Sequence, residues 1–115
     1  MDLTSKFPHY NGETILSKIA FYAKTTPQKT CIIEATNGEK ISYRDFWNSI
    51  LDFSMKIEPG LRYIMQTRQT IAHLIAFYGI QAAGSIAIPV EAKTPEERLE
   101  EMSLEFSALI MQPML

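Results

Sequence analysis

The sequence predicts an α/β fold in which an N-terminal hairpin leads into a mostly parallel sheet with crossover helices. Three observations predict it. The stretch from Gln69 to Val90 carries no charged side chain, yet it is punctuated by Gly84 and Pro89. It therefore reads as a buried helix, a glycine stop and a buried strand. A helix apolar on most of its surface must be covered, and a short apolar strand between helices belongs in a parallel sheet covered on both faces. Strand and helix patterns also alternate along the chain, which implies right-handed crossovers. Finally, Asn37-Gly38 lies between two short apolar runs, and both positions tolerate the positive φ of a two-residue hairpin turn.

The elements follow in order. Residues 1–12 read as an irregular lead-in, and 13–115 as one structural unit. Glu13 to Lys24 is a helix, with Ile15, Leu16, Ile19, Tyr22 and Ala23 at helical spacing, closed by Thr25-Thr26-Pro27. Thr30 to Ala35 is a strand and Lys40 to Ser42 its return. Ser42 caps the next helix and Asp45 places a carboxylate in its first turn. Its apolar stripe is Tyr43, Phe46, Trp47, Ile50, Leu51 and Ile57, and Pro59-Gly60 stops it. Such a stripe faces a core, so Trp47 reads as a packing residue. Arg62 to Thr67 is a strand, Gln69 to Ala83 the uncharged helix and Ile86 to Val90 the next strand. Thr94 is expected to cap the last helix, with Pro95 at its first position and Glu97 completing a capping box. Leu99, Met102 and Phe106 face inward. Ala108 to Met111 is a final strand, broken by Gln112-Pro113.

Composition narrows the function. The chain has 115 residues, enough for one domain or a piece of a larger one, and a formal net charge of −2 with no basic block, which argues against nucleic acid as a partner. A transmembrane reading of Ile71 to Val90 has the required length, but His73, Gln81, Ser85 and the Ala83-Gly84-Ser85 break oppose it. No secretory signal pattern opens the chain. The single cysteine, Cys31, fits a reducing, cytoplasmic setting and lies in an apolar run typical of a core thiol.

Little chemistry is visible. The glycines are isolated, so no loop cradles phosphate. His9 and His73 pair with nothing at metal-ligand spacing. His73, on the uncharged helix, reads as a hydrogen-bonded, partly buried side chain rather than a general base. Glu96, Glu97, Glu100 and Glu101 read as a solvated helix face. No catalytic, cofactor-binding or metal-binding residue is assigned. In parallel sheets ligands bind beyond the strands' C-terminal ends, here Gln66 to Thr70, Val90 to Thr94, and Gln112 onward.

From about Glu13 to Met111 the chain resembles the N-terminal part of the adenylate-forming enzymes, which include acyl-CoA synthetases, peptide-synthetase adenylation domains and firefly luciferase. The pieces that carry the resemblance are Thr26-Pro27-Gln28-Lys29 before an apolar strand, Gly38 to Phe46 leading from the hairpin into a long helix, Gly60 before the next strand, Ala82-Ala83-Gly84, Pro89, and Pro95-Glu96-Glu97-Arg98-Leu99. The resemblance implies an incomplete piece of that family's N-terminal domain. It also implies carboxylate activation with ATP and Mg²⁺ to an acyl-adenylate, followed by thioester formation, for the whole enzyme. The family's Ser/Thr/Gly-rich phosphate loop ending in Pro-Lys and its C-terminal lysine have no counterpart in this sequence, so the chain is expected not to catalyse adenylation alone. Its expected partner is the remainder of the ligase, or a self-association partner covering the open sheet; truncation is favoured because the pattern stops one strand after a crossover. The chain departs from the pattern at Met55 to Gly60, Gly60 to Tyr63, Gln66 to Gln69 and Val90 to Lys93. Two other readings are a standalone interaction or assembly module of the same fold, and an unrelated flavodoxin-like binding domain, which the opening hairpin fits poorly.

Overall fold

The computed structural model describes residues 14–111. In chain order these form α1 (Ile15–Thr25), β1 (Thr30–Ile33), β2 (Lys40–Ser42), α2 (Tyr43–Ser54), β3 (Arg62–Thr67), α3 (Ile71–Ala82), β4 (Ile86–Glu91), α4 (Glu96–Phe106) and β5 (Leu109–Ile110). Strands β1 and β2 pair antiparallel as a separate hairpin. The other three make a parallel sheet in the order β4-β3-β5. The lead-in, including His9, and the Gln112-Pro113 break lie outside the described residues.

The central position of β3 explains its composition. The chain leaves β3 towards one side to reach β4, then passes back over β3 to reach β5. Crossovers of one hand running in opposite directions place their helices on opposite faces. The alternation of β3 follows: Tyr63 and Met65 pack with Ala76 and Ile80 of α3, while Ile64 between them packs with Leu99 of α4 and with Ala108. Helix α3 is covered a second time. Its Leu74, Ile75 and Tyr78 meet Ile19 of α1 and Phe46 and Ile50 of α2, together with Cys31, Ile32 and Ile41 of the hairpin. A helix between a sheet and two further elements has no broad solvent face, so it carries no charge. The α2–α3 approach is close: a Cβ at Gly79 would lie 2.6 Å from the Phe53 ring.

The opposite end of the sheet, where β3 and β4 begin, is tied by one buried serine. The Ser85 hydroxyl donates to the Glu58 carbonyl (2.7 Å) and accepts from the Leu61 amide (3.3 Å). Gly84, at φ 85°, supplies the left-handed turn that ends α3 and brings Ser85 there.

The open edge of β4 is blunted. The Ile86 amide donates to Leu61 on the β3 side, so main-chain groups of Ile86, Ile88 and Val90 face β3, and those of Ala87, Pro89 and Glu91 face outward. Pro89 has no N–H, so the middle donor of that edge is missing.

Several expectations are corrected. Thr94 is not the cap of α4: its hydroxyl donates to the Glu91 carbonyl (2.7 Å), closing the turn after β4. Pro95 takes the cap position in extended conformation, no side chain caps the helix and no capping box with Glu97 forms. The hairpin turn is not the two-residue type. The Glu34 amide still bonds the Glu39 carbonyl (2.7 Å), residues 35–38 form the connection, and only Gly38 has positive φ. On α1 Ile19 is buried, with Leu16 and Ala23 half-buried beside it; Ile15 and Tyr22 are exposed, and Tyr22 packs at the margin with its ring 5.3 Å from Tyr43. Leu51 and Phe106 are also exposed, while on α2 Phe53 packs inward. Helix α2 stops at Ser54, before Pro59-Gly60. Ser42 does cap α2 through the Asp45 amide (3.2 Å). Among the described residues no helix is long and apolar enough to cross a membrane; Ile71 to Val90 is divided into α3 and β4.

Candidate functional site

The strand ends that parallel sheets use for ligands are here locked together by short polar side chains. Gln66, near the end of β3, donates its amide to the carbonyls of Ala92 (3.0 Å) and Thr94 (3.2 Å), fixing the β4–α4 loop over the neighbouring strand. The Thr67 hydroxyl donates to the Val90 carbonyl (3.3 Å). One residue after Gln69, Thr70 caps α3, its hydroxyl oxygen accepting from the His73 amide (3.1 Å). The same hydroxyl is hydrogen-bonded to His73 Nδ1.

The hairpin joins this end of the sheet through Glu34. One carboxylate oxygen accepts from the Ile71 amide (2.8 Å), the first helical N–H of α3, and the other accepts from the Asn37 side-chain amide (2.7 Å). A carboxylate is favoured at a helix N-terminus because the amides there have no intrahelical partner. Glu34 therefore joins the hairpin to α3 across 37 residues of sequence.

Among the described residues, clefts open along this edge. The most apolar, about 470 Å³, lies between the hairpin and α3 and is lined by Ile33, Glu34, Arg68, His73, Leu74 and Phe77 among others. A second, about 550 Å³, lies between the β3–α3 and β4–α4 loops and shares Thr67, Arg68, Gln69 and Pro89 with the first. A third, about 440 Å³, lies between α4 and the ends of β3 and β5, with Gln66, Glu96, Glu100 and Met111 in its lining.

The side chains singled out in the sequence divide between site and surface. His73 is partly buried and lines the apolar cleft. Glu97, Glu100 and Glu101 are exposed on α4, where Arg98 pairs with Glu101 (3.1 Å) and lies 3.8 Å from Glu105. Cys31 is half-buried in the hairpin cluster; desolvation raises its thiol pKa, partly opposed by a hydrogen bond from Tyr43. No group of His, Cys, Asp and Glu among the described residues could hold a metal ion. Glu34, Gln66, Arg68 and Thr70 were not singled out in the sequence, although Gln66 to Thr70 had been located as a strand end. The contact of Glu34 with α3 and those of Gln66 span 26 or more residues of sequence, and the cap at Thr70 is hidden behind Gln69.

The fold recurs in solved structures. The Klebsiella oxytoca NpsA N-terminal subdomain in complex with 3-hydroxybenzoyl-AMSN superposes with a TM-score of 0.75 at 15% identity, over 90% of this chain and 28% of that one. A Mycobacterium tuberculosis fatty acyl CoA synthetase gives a TM-score of 0.70 at 14% identity, over 82% and 20%. The nonribosomal peptide synthetase FmoA3, bound to AMPPNP, gives 0.71 at 19% identity, over 81% and 10%. The fold is that of the N-terminal part of the adenylate-forming enzymes. The order β4-β3-β5 by itself also fits a flavodoxin-like sheet; the superposition over 90% of the chain decides between them. The chain spans between about a tenth and three-tenths of the length of these proteins. No protein-family model and no curated protein matches the sequence.

Proposed function

We propose that this chain is the N-terminal portion of a cytoplasmic, ATP-dependent acyl-adenylate-forming ligase, and that it contributes scaffold rather than catalytic groups. The observation that carries the reading is the superposition on an N-terminal subdomain of that fold over 90% of the chain. The whole enzyme would activate a carboxylate to acyl-AMP and pass it to a thiol. ATP and Mg²⁺ would be held by the remainder, because phosphate transfer depends on preorganised positive groups, and this sequence contains no phosphate loop. The remainder would cover the apolar residues left in solvent along the sheet, Ile86 and Leu109 above all.

The test has two parts. The purified 115-residue chain should give no carboxylate-dependent exchange between ATP and pyrophosphate, and a signal above background removes the claim of incompetence. The coding frame past Leu115 should run into a Ser/Thr/Gly-rich loop ending in Pro-Lys; a long frame encoding nothing of that kind removes the ligase reading. A second reading, a standalone assembly module, draws on the same exposed side chains together with Ile33 and Leu104. It predicts a stable oligomer by light scattering, where the first predicts none of defined size.

A further inference from the structure

The cleft between the hairpin and α3 is a built space with a chemical polarity of its own. At about 470 Å³ it falls within the size range of small-molecule sites. Its walls come from three separate elements: Ile33 from β1, Ile71, Leu74 and Phe77 from α3, and Pro89 from β4. The hydrogen bond from Ile71 to Glu34 holds two of those walls at a set distance.

The polar groups in its lining are unequal. Both oxygens of Glu34 are engaged, by the Ile71 amide and the Asn37 side chain. Arg68 forms no ion pair and no side-chain hydrogen bond with any described residue. His73 has Nδ1 occupied by Thr70. That contact leaves Nε2 as the ring nitrogen with no hydrogen bond to a described residue. The cleft thus offers one permanently cationic donor and one uncommitted ring nitrogen beside apolar walls.

We propose that this cleft binds a small amphipathic anion, its apolar body against Ile33, Leu74 and Phe77 and its anionic head on Arg68, with His73 Nε2 as a second donor. The site stands apart from the ligase reading, since it uses only residues of this chain and needs no nucleotide. The probe is 1-octanesulfonate, which cannot be adenylated, so binding reports on the cleft and not on carboxylate activation. It is titrated below its micelle concentration into the 115-residue chain, by calorimetry and by amide chemical shifts.

The expected result is saturable binding with shifts centred on Ile33, Arg68 and His73, at least tenfold tighter than for 1-octanol or octylammonium. Arg68→Gln, at an exposed loop position, should reduce the sulfonate to the affinity of the alcohol. Ile33→Glu, also at an exposed position, should abolish binding by adding a negative charge to the wall. Equal affinity for the alcohol, shifts elsewhere, no saturation, or an unaffected Arg68→Gln variant would each overturn the proposal. So would concentration-dependent shifts of the same residues without ligand, which would place a second copy of the chain in the cleft.

Discussion

The two faces of β3 are buried by different means. On the Tyr63 and Met65 face, α3 lies against the strand and is itself covered by α2, α1 and the hairpin. On the Ile64 face α4 is the one helix among the described residues that does the covering, with Leu99 its one buried side chain. Number of layers decides composition. The inner helix of a stack is apolar around most of its circumference, whereas a helix in the outermost layer needs one apolar stripe and can carry charge elsewhere. Hence α3 has no charged residue and α4 has five glutamates and one arginine within Glu96–Phe106.

The difference should appear in substitution costs, measured as urea unfolding free energies. Phe46→Ala, deep in the layered side and 1% exposed, should cost about 3–5 kcal/mol, a large share of the stability of a small domain. Leu99→Ala should cost about 2–3 kcal/mol, the lower part of the range for such truncations, because a single outer helix can settle into the space. Equal losses at the two sites would break the comparison and show α4 to be held as rigidly as α2.

Gly79→Ala sharpens it on the layered side. Alanine gains up to about 1 kcal/mol of helix propensity, but its Cβ at 2.6 Å from the Phe53 ring forces that ring to move, and overpacking costs about 1–3 kcal/mol. A net loss of about 1 kcal/mol is expected, and a net gain would mean that the α2–α3 contact is loose. The caps supply a smaller contrast. Thr70→Val removes the cap of α3 and should cost about 1 kcal/mol, whereas Thr94→Val, at a residue that closes an exposed turn and caps nothing, should change stability by less than about 0.5 kcal/mol.

The smallest effect concerns Cys31 in the hairpin cluster. Desolvation raises its folded-state pKa, so the folded chain holds the thiol proton at pH values where the unfolded chain has released it. That contribution is fully present below the unfolded pKa and is lost as pH rises through the folded one. Alkylation of the folded chain should therefore reach half its maximal rate at a higher pH than in urea. The opposite order would show Cys31 to be activated rather than desolvated.

Much of this architecture is legible without coordinates, because the signals are local. The glycine stop at Gly84, the serine cap at Ser42, the uncharged run and the alternation of elements each follow from a few neighbouring residues. The errors share a cause as well. Thr94 carries a good capping signal, yet its hydroxyl has a second acceptor within reach, the Glu91 carbonyl, and a sequence does not rank two satisfactory hydrogen bonds. Asn37-Gly38 suits a two-residue turn, but the Asn37 side chain is held by Glu34 while Glu34 also holds α3, and the longer loop satisfies both.

By itself the sequence determined the kind, order and approximate extent of the elements and which helix had to be inside, since these depend on periodicity and on the cost of burying charge. The tertiary structure alone decided the strand order β4-β3-β5, the second covering of α3, and the meeting of Glu34, Arg68, Thr70 and His73 around one cleft. Those depend on contacts between residues far apart in the chain, where packing and the satisfaction of buried polar groups select one arrangement from several that the same local pattern allows.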